Sequence, residues 1–213
     1  MNNRQGKTFF ANPKLLRAES ALFFPNLCGI TLASNGKIVD TTPVLAGRVS
    51  VVNVFSSAWA ENQARSFTDA KRNPDLKAVL AEGEQMGLAQ QVDINVEENA
   101  LKAALVRLFA YRLRRMRESK DWARYFLVRK GLTDDMREAM GILNKSVGYV
   151  YLVDAACRIR WAGSGVAEGD ERTHIVNGLK RLVEQLIASS ASKVGDLASL
   201  RTKENSKEYS PSV

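Results

Sequence analysis

The sequence predicts a three-layer α/β fold, in which helices cover a sheet of parallel and antiparallel strands. Two observations lead to this prediction. The segment Val49–Phe55 is apolar almost throughout, as expected for a strand buried on both faces, and a helical pattern follows it directly. Later in the chain, two β-rich segments flank a short turn and precede an amphipathic helix. The 213 residues, 45% of them hydrophobic, suffice for one core, so we expect one domain over residues 21–188 after an N-terminal extension at 1–20.

The first half of the domain is predicted to alternate strands and helices. Residues 23–45 form an opening loop with short strands, because Asn35-Gly36 is typical of a tight turn. Val49–Phe55 is the central parallel strand. The elements predicted after it are a helix from Trp59 to the Asn73-Pro74 stop, a helix over Asp75–Met86 that ends at Gly87, and a strand over Ala89–Val96.

A long helical insertion is predicted over about residues 97–146. Its first part, from Val96 to about Lys120, has apolar residues at helical spacing, which we interpret as core packing rather than a cofactor site. Residues Trp122–Val128 are aromatic and ambiguous. Thr133 precedes acidic residues, as is typical of a helix N-terminus, and predicts a short helix to about Met140.

The last part of the domain is predicted to be an antiparallel hairpin and a helix. Val147–Val153 and Cys157–Trp161 are β-rich and flank a turn at Asp154-Ala-Ala. The final helix runs from Glu171 to about Ala188, and residues 189–213 are predicted to be a disordered tail. A parallel crossover followed by a hairpin and a terminal helix is the thioredoxin-like arrangement.

The position of a thioredoxin-type redox site is occupied by residues without redox chemistry. Such enzymes carry a cysteine after the central strand, where the N-terminus of a helix lowers the thiol pKa. Here Trp59 matches the tryptophan before that cysteine, but Ala60 and Gln63 occupy the two cysteine positions. Gly148 stands where the next strand would begin with a cis-proline. Since none of these side chains is a nucleophile, we expect no catalytic residue and no enzymatic activity.

Few other residues offer chemistry. Cys28 and Cys157 lack a CxxC partner, and the sequence leaves open whether they pair with each other. With His174 as the single histidine, we expect neither a zinc site nor another cofactor. Cys157, expected inside a strand, is interpreted as a small, partly buried residue, with a thiolate favoured by Arg158 as the alternative.

Positive charge is concentrated in the segment Lys102–Lys130. Ten basic residues stand there against two acidic ones, which accounts for the whole net charge of +8. The segment is either a solvated helix face or binds an acidic partner, which would be anionic lipid, nucleic acid or an acidic protein surface. The proposed binding residues are Arg107, Arg112, Arg114, Arg115, Arg117, Arg124, Arg129 and Lys130, with Trp161, Gly163, Ser164 and Gly165 as a second surface.

The glycine-rich loop and the aromatic residues each have two interpretations. Gly163-Ser164-Gly165 is a plain loop or presents backbone amides to an anion. Trp122, Tyr125 and Phe126 either insert at the headgroup level of a membrane or pack beneath the long helix. No apolar run reaches the roughly 20 residues that cross a bilayer, so we expect no membrane span.

Several segments resemble the mitochondrial ATPase complex assembly factor family numbered ten, first known from yeast. The segment Val147–Asp154 with Cys157–Gly165 is the longest and most specific of them. The others are Ala21-Leu-Phe-Phe-Pro-Asn26, Val51–Gln63, Arg124–Lys130 and Asp135-Met-Arg-Glu138. Together they span about residues 20–186 of the sequence.

The resemblance implies a non-catalytic assembly factor for the membrane sector of mitochondrial ATP synthase. It implies a peripheral position on the matrix side of the inner membrane and binding of subunit a while this subunit joins the subunit c ring. The basic segment would then face the anionic lipid surface. Two alternatives stay open: a thiol oxidoreductase of peroxiredoxin or thioredoxin type that uses Cys157 or Cys28, and an RNA binder that uses the basic helix with Tyr111, Trp122 and Tyr125.

Overall fold

The computed structural model describes residues 6–97, 110, 111, 113–115 and 117–207, with residues 193–207 described by their backbone. Its strands, in chain order, are β1 (Cys28–Thr31), β2 (Ile38–Asp40), β3 (Val49–Phe55), β4 (Ala89–Val96), β5 (Tyr125–Val128), β6 (Tyr149–Val153) and β7 (Ile159–Ser164). Its helices are α1 (Thr42–Leu45), α2 (Ala58–Thr68), α3 (Pro74–Gln85), α4 (Asp134–Ala139) and α5 (Glu171–Lys207), with a 3-10 helix over Ser119–Arg124.

Within the described residues, seven strands form one mixed sheet in the order β2-β1-β5-β4-β3-β6-β7. The central strand β3 pairs with β4 in parallel and with β6 antiparallel. All seven residues of β3 are buried, because valine and phenylalanine side chains pack on both faces of the sheet. The predicted strand-helix-strand order and the terminal hairpin of β6 and β7 are confirmed.

Two apolar cores lie on opposite faces of the sheet. The core on one face packs Phe67 of α2 and Leu76 of α3 against Ile175 of α5. On the other face, Tyr149 and Tyr151 of β6 pack with side chains from the loops around α1 and α4. Alternate residues of β6 contribute to the two cores, which gives the layered arrangement that the sequence predicts.

The predicted hairpin turn and helix caps are found in detail. Asn35 and Gly36 both have positive φ (49° and 85°), as a tight turn between β1 and β2 requires. The hydroxyl of Thr133 accepts a hydrogen bond from Met136 N at 3.2 Å and caps α4.

The middle of the chain differs from the prediction in two places. Residues 125–128, left ambiguous within a helical insertion, form β5, which pairs with β4 in parallel and with β1 antiparallel. The predicted long helix does not reach Lys120, because residues 119–124 form the 3-10 helix. Residues 110, 111 and 113–115 are helical as predicted, and the other residues of that helix, at 98–109, 112 and 116, lie outside the described residues. The assignment of β5 was missed because its four apolar residues carry too little periodicity to distinguish a strand from a helix.

Two further boundaries differ near the C-terminus. Cys157, predicted inside a strand, lies in the turn before β7 with φ of 62°. Helix α5 continues past Ala188 to Lys207, so the prediction of a disordered tail from Ser189 was wrong as far as residue 207. The alanine, leucine and lysine of this segment favour helix, and Pro211 is its first proline.

The N-terminal extension is part of the domain. It runs beside the outer edge of β7, where Leu16 N donates to Arg160 O at 2.8 Å and Phe24 N donates to Cys157 O at 2.7 Å. The side chain of Arg160 in turn donates a hydrogen bond from Nε to Leu16 O at 2.8 Å. The segment therefore satisfies backbone groups that an open edge strand would expose.

A buried ion pair fixes the start of this segment. Lys7 Nζ lies 2.7 Å from Glu171 Oε2, and the two side chains are only 1% and 5% exposed. The ammonium also donates to the carbonyl oxygens of Ser164 and Val166 at 3.1 and 2.9 Å. Glu171 accepts a further bond from Ala11 N at 2.8 Å, so the pair is fully hydrogen-bonded.

Replacing Lys7 by methionine should lower the free energy of unfolding by about 3 kcal/mol, because it leaves the buried carboxylate of Glu171 without a counter-charge. Adding Glu171→Gln should recover part of this loss. Urea denaturation measures both effects, with the exposed Lys14→Met as a control expected to stay within about 0.5 kcal/mol of the wild type. Equal losses for Lys7→Met and Lys14→Met would contradict the role of the ion pair.

Candidate functional site

The structure brings Ala60, Gln63 and Gly148 together. Ser57 caps α2 by accepting a hydrogen bond from Ala60 N at 3.2 Å, and Ala60 and Gln63 are buried on the side of the helix that faces β6. Gln63 Oε1 accepts a hydrogen bond from Gly148 N at 2.9 Å. The side chain at the second cysteine position therefore binds the backbone at the position of the cis-proline.

At Gly148 the backbone of the chain approaches the backbone of α2 closely. A Cβ atom at Gly148 would lie 2.0 Å from the carbonyl oxygen of Ala60 and 3.1 Å from Ala64 N. Only glycine allows the chain before β6 to approach α2 so closely. The position that would hold a catalytic cysteine is thus covered by backbone.

The N-terminal segment lies against the same place. A Cβ atom at Gly6 would come within 2.7 Å of Trp59 Cη2, 3.1 Å of Val147 Cγ2 and 3.2 Å of Gln63 Nε2. Trp59, which begins the motif, is half exposed at 51%. The vacated redox position therefore lies between the backbone at Gly148 and the N-terminal segment.

Neither thiol has the environment of a nucleophile. Cys28 is exposed, and its Sγ donates a hydrogen bond to Asp40 Oδ1 at 2.8 Å, which raises the pKa of the thiol. Burial and the nearby charge of Asp154 raise the pKa of Cys157. Both cysteines are free. A raised pKa leaves little thiolate at neutral pH, which is the reverse of what a thiol enzyme needs.

A buried polar cluster lies beside the vacated motif, and the sequence analysis missed it. Asn53 of β3 donates to Asp93 Oδ1 of β4 at 2.7 Å, and Arg117 Nη1 donates to Asp93 Oδ2 at 2.6 Å. Arg117 also lies 3.5 Å from Glu61 of α2. The available signal was the polar residue within each of two apolar strands, because polar groups at such positions need partners.

Arg117 links the segment before the 3-10 helix to the sheet and to α2. Burial acts to lower the pKa of its guanidinium, but the charge and hydrogen bond of Asp93 outweigh burial and raise it. The guanidinium carbon also lies 4.5 Å from the ring centre of Tyr125. Burial raises the pKa of Tyr125 to about 12, although the hydrogen bond from Asn95 Nδ2 at 3.2 Å opposes this.

Three of the arginines proposed to bind a partner are instead engaged within the domain. Arg117 binds Asp93, Arg124 binds Glu84 and Asp121 at 2.8 Å each, and Arg114 donates to Leu32 O at 2.8 Å. Arg115, Arg129 and Lys130 are exposed. Arg107 and Arg112 lie outside the described residues. The charge excess in the sequence therefore overstates the basic surface among the described residues.

The proposed second surface is not a surface. Trp161 and Ser164 are 2% and 0% exposed, and Gly163 and Gly165 are buried as well. Ser164 Oγ accepts hydrogen bonds from Thr8 N and Phe9 N at 3.1 and 3.0 Å, and Trp161 Nε1 donates to Asn12 O at 2.8 Å. The N-terminal segment contacts Trp161, Ser164 and Gly165, and Gly163 lies against Phe67, so the predicted binding surface is buried.

The aromatic residues of the basic segment also differ in exposure. Tyr125 and Phe126 are 3% and 0% exposed in β5, so they pack within the domain rather than insert into a membrane. Trp122 is half-buried and lies beneath Arg114, whose guanidinium carbon is 5.6 Å from its ring centre. Tyr111 is 67% exposed.

Across the described part of the chain, no group of three or more histidine, cysteine, aspartate or glutamate side chains is placed to hold a metal ion. Helices in the same residues do not combine the length and apolar character needed to cross a membrane.

Comparison with solved structures shows the fold. A secreted thiol-disulfide isomerase from Corynebacterium glutamicum superimposes with a TM-score of 0.52 at 14% identity, over 84% of this chain and 99% of that structure. At this identity the likeness concerns the fold alone. The predicted thioredoxin-like fold is confirmed, and the site described above defines a thioredoxin-like protein without the cysteine pair of a redox enzyme.

Comparison of sequences shows the family. The sequence pattern of the ATP10 protein family matches residues 1–182, and this chain belongs to that family. It is 38% identical over 165 residues to the mitochondrial ATPase complex subunit ATP10 of Eremothecium gossypii, covering 76% of this chain and 58% of that protein. The Saccharomyces cerevisiae protein of the same name is 31% identical over 191 residues, with 84% and 66% covered. The chain thus spans about three fifths of the length of these relatives, as these shares of 58% and 66% give.

Gly148→Ala should lower the free energy of unfolding by about 3 kcal/mol, because the added methyl group meets the backbone oxygen of Ala60 and the core must shift. Gly169→Ala is the matched control. Gly169 has positive φ but open space around it, so its replacement should cost only about 1 to 2 kcal/mol. Urea denaturation measures both variants, and a smaller loss for Gly148→Ala than for Gly169→Ala would contradict the close approach.

Tyr125 should make the protein sensitive to high pH. Its phenol has a pKa of about 12 in the folded state against a reference value of 10.0, so its contribution to stability is complete below pH 10 and is lost as pH rises towards 12. Over this window, Tyr125→Phe should remove roughly 2 kcal/mol of the pH-dependent loss. Urea denaturation across the alkaline range measures the difference. Burial also raises the pKa of Tyr151, so some dependence remains in the variant.

Proposed function

We propose that this protein promotes assembly of the membrane sector of mitochondrial ATP synthase by binding rather than by catalysis. The relatives' names supply the mitochondrial location and the connection with the ATPase complex. The finer steps follow the resemblance described above: the client is subunit a, and binding protects it until it lies beside the subunit c ring. The protein would act as a peripheral chaperone on the matrix side of the inner membrane.

One observation carries the non-catalytic part of the proposal. The backbone at Gly148 packs against the carbonyl of Ala60, and Ala60 is 0% exposed, so the first cysteine position of a thioredoxin-type site is buried. Restoring a cysteine at position 60 would bury it beneath this contact. A fold that keeps the enzyme's architecture with a closed site is suited to presenting surfaces to a partner.

The alternative of a thiol oxidoreductase is disfavoured by the thiol environments. The pKa values of Cys28 and Cys157 are both raised, and Cys157 is buried in the turn before β7. The RNA-binding alternative is weakened because Arg114, Arg117 and Arg124 are engaged in contacts within the domain. Arg115, Arg129 and Lys130 remain available for an acidic protein or lipid surface.

Deleting the gene should block ATP synthase assembly at the step that adds subunit a. In native gels probed for the catalytic head, the subunit c ring and subunit a, we expect head and ring to stay associated while subunit a is missing or degraded. A complete complex at normal abundance in the deletion strain would contradict the proposal.

A complementation control separates binding from redox activity. The Cys28→Ser/Cys157→Ser double variant should restore the complete complex as well as the wild type does, because neither thiol takes part. Failure of this variant, at normal abundance and normal thermal stability, would instead favour the thiol oxidoreductase.

A further inference from the structure

The segment Ala21–Asn26, one of those that carry the family resemblance, has an unusual distribution of exposure. Phe24 is 3% exposed and packs in the core with Tyr151, their ring centres 5.9 Å apart. The two residues before it, Leu22 and Phe23, are 57% and 69% exposed. Two adjacent large apolar side chains thus project into solvent from a well-anchored segment.

The backbone that holds these side chains is fixed on both sides. Ile159 N donates to Leu22 O at 2.8 Å, and Phe24 N donates to Cys157 O at 2.7 Å, so Phe23 lies beside Arg158 in a bridge with the edge of β7. Because the main chain is already ordered, a partner that covers Leu22 and Phe23 pays little conformational entropy.

A third exposed apolar residue lies on the same edge of the sheet. Leu16 is 42% exposed and hydrogen-bonds with Arg160, two residues along the edge from Arg158. We name Leu16, Leu22 and Phe23 the edge patch. A single exposed apolar residue is ordinary, but a group of them along one edge of a sheet is a feature of interaction surfaces.

The charge around the edge patch is positive. Residues 14–23 and 154–160 contain four cations, Lys14, Arg17, Arg158 and Arg160, against two carboxylates, Glu19 and Asp154. Asp154 is occupied by Arg158 at 2.9 Å and Arg160 at 3.2 Å. Lys14, Arg17 and Glu19 are all exposed, so the surface in this part of the edge keeps a small excess of positive charge.

We infer that the edge patch docks on the surface of an anionic lipid bilayer. Leucine and phenylalanine side chains fit the boundary between headgroups and acyl chains, and the neighbouring lysine and arginine fit the phosphates. This surface is distinct from the basic segment, in which Arg114, Arg117 and Arg124 are engaged within the domain. The inference rests on the proposed function, since a factor for a membrane sector must work at a bilayer, but lipid binding is measured without the ATP synthase.

The test is co-sedimentation of the full-length protein with vesicles of phosphatidylcholine, with and without phosphatidylglycerol. The wild type should bind the anionic vesicles more strongly, and added salt should weaken this binding. The Leu22→Ser/Phe23→Ser variant should lose at least about tenfold in its partition onto anionic vesicles, because both apolar contacts are removed.

Ile38→Ser is the matched control. Ile38 is 76% exposed on β2, the opposite edge strand of the sheet, so its loss should leave binding unchanged. All variants should keep the wild-type unfolding midpoint, since they alter exposed side chains. The inference would be overturned if the wild type did not bind the vesicles, or if the Leu22→Ser/Phe23→Ser variant bound as well as the Ile38→Ser variant. Either result would point to a protein partner for the edge patch. If assembly were normal in the deletion strain while the vesicle result held, only the proposed function would fail.

Discussion

The close approach of Gly148 to the first turn of α2 is the constraint on which the rest of the site depends. With no side chain at 148, the backbone before β6 lies on the carbonyl of Ala60 and binds the amide of Gln63. A proline there would lack the N–H that Gln63 accepts, and a cysteine at position 63 would not reach it in the same way. Glycine and glutamine therefore form a matched pair, and the redox site is replaced by a structural contact.

The polar cluster at Arg117 gives the insertion a defined attachment. Arg117 joins Asp93 of β4 and Glu61 of α2, so one side chain holds this part of the insertion against two elements of the core. A buried ion pair adds little net stability compared with apolar packing, but breaking one partner is costly. The cluster therefore fixes where the insertion lies. This explains why an arginine-rich sequence gives a smaller basic surface than its composition indicates.

Sequence alone predicted the elements whose signal is local. The seven apolar residues of β3, the Asn35-Gly36 turn and the Thr133 cap each carry their own pattern. Placement of Ala60, Gln63 and Gly148 at one site followed from alignment with the thioredoxin motif. The N-terminal segment escaped prediction because its bonds to β7 join residues more than a hundred positions apart and follow no period. For the same reason Trp161 and Ser164 were taken as exposed, since the residues that cover them are distant in sequence.

The way in which the two edge strands of the sheet are covered or shortened determines how a partner can bind the domain. At β7 the N-terminal segment satisfies the outer backbone groups of Ile159 and Arg160 and so hinders the addition of a strand from another protein. At the other edge, β2 is only three residues long, which limits strand addition in a different way. Because the redox position is buried as well, we expect a partner to be recognised by side chains on the surface of the domain. Leu22 and Phe23 meet this requirement, since the same hydrogen bonds that close the β7 edge hold their side chains outward.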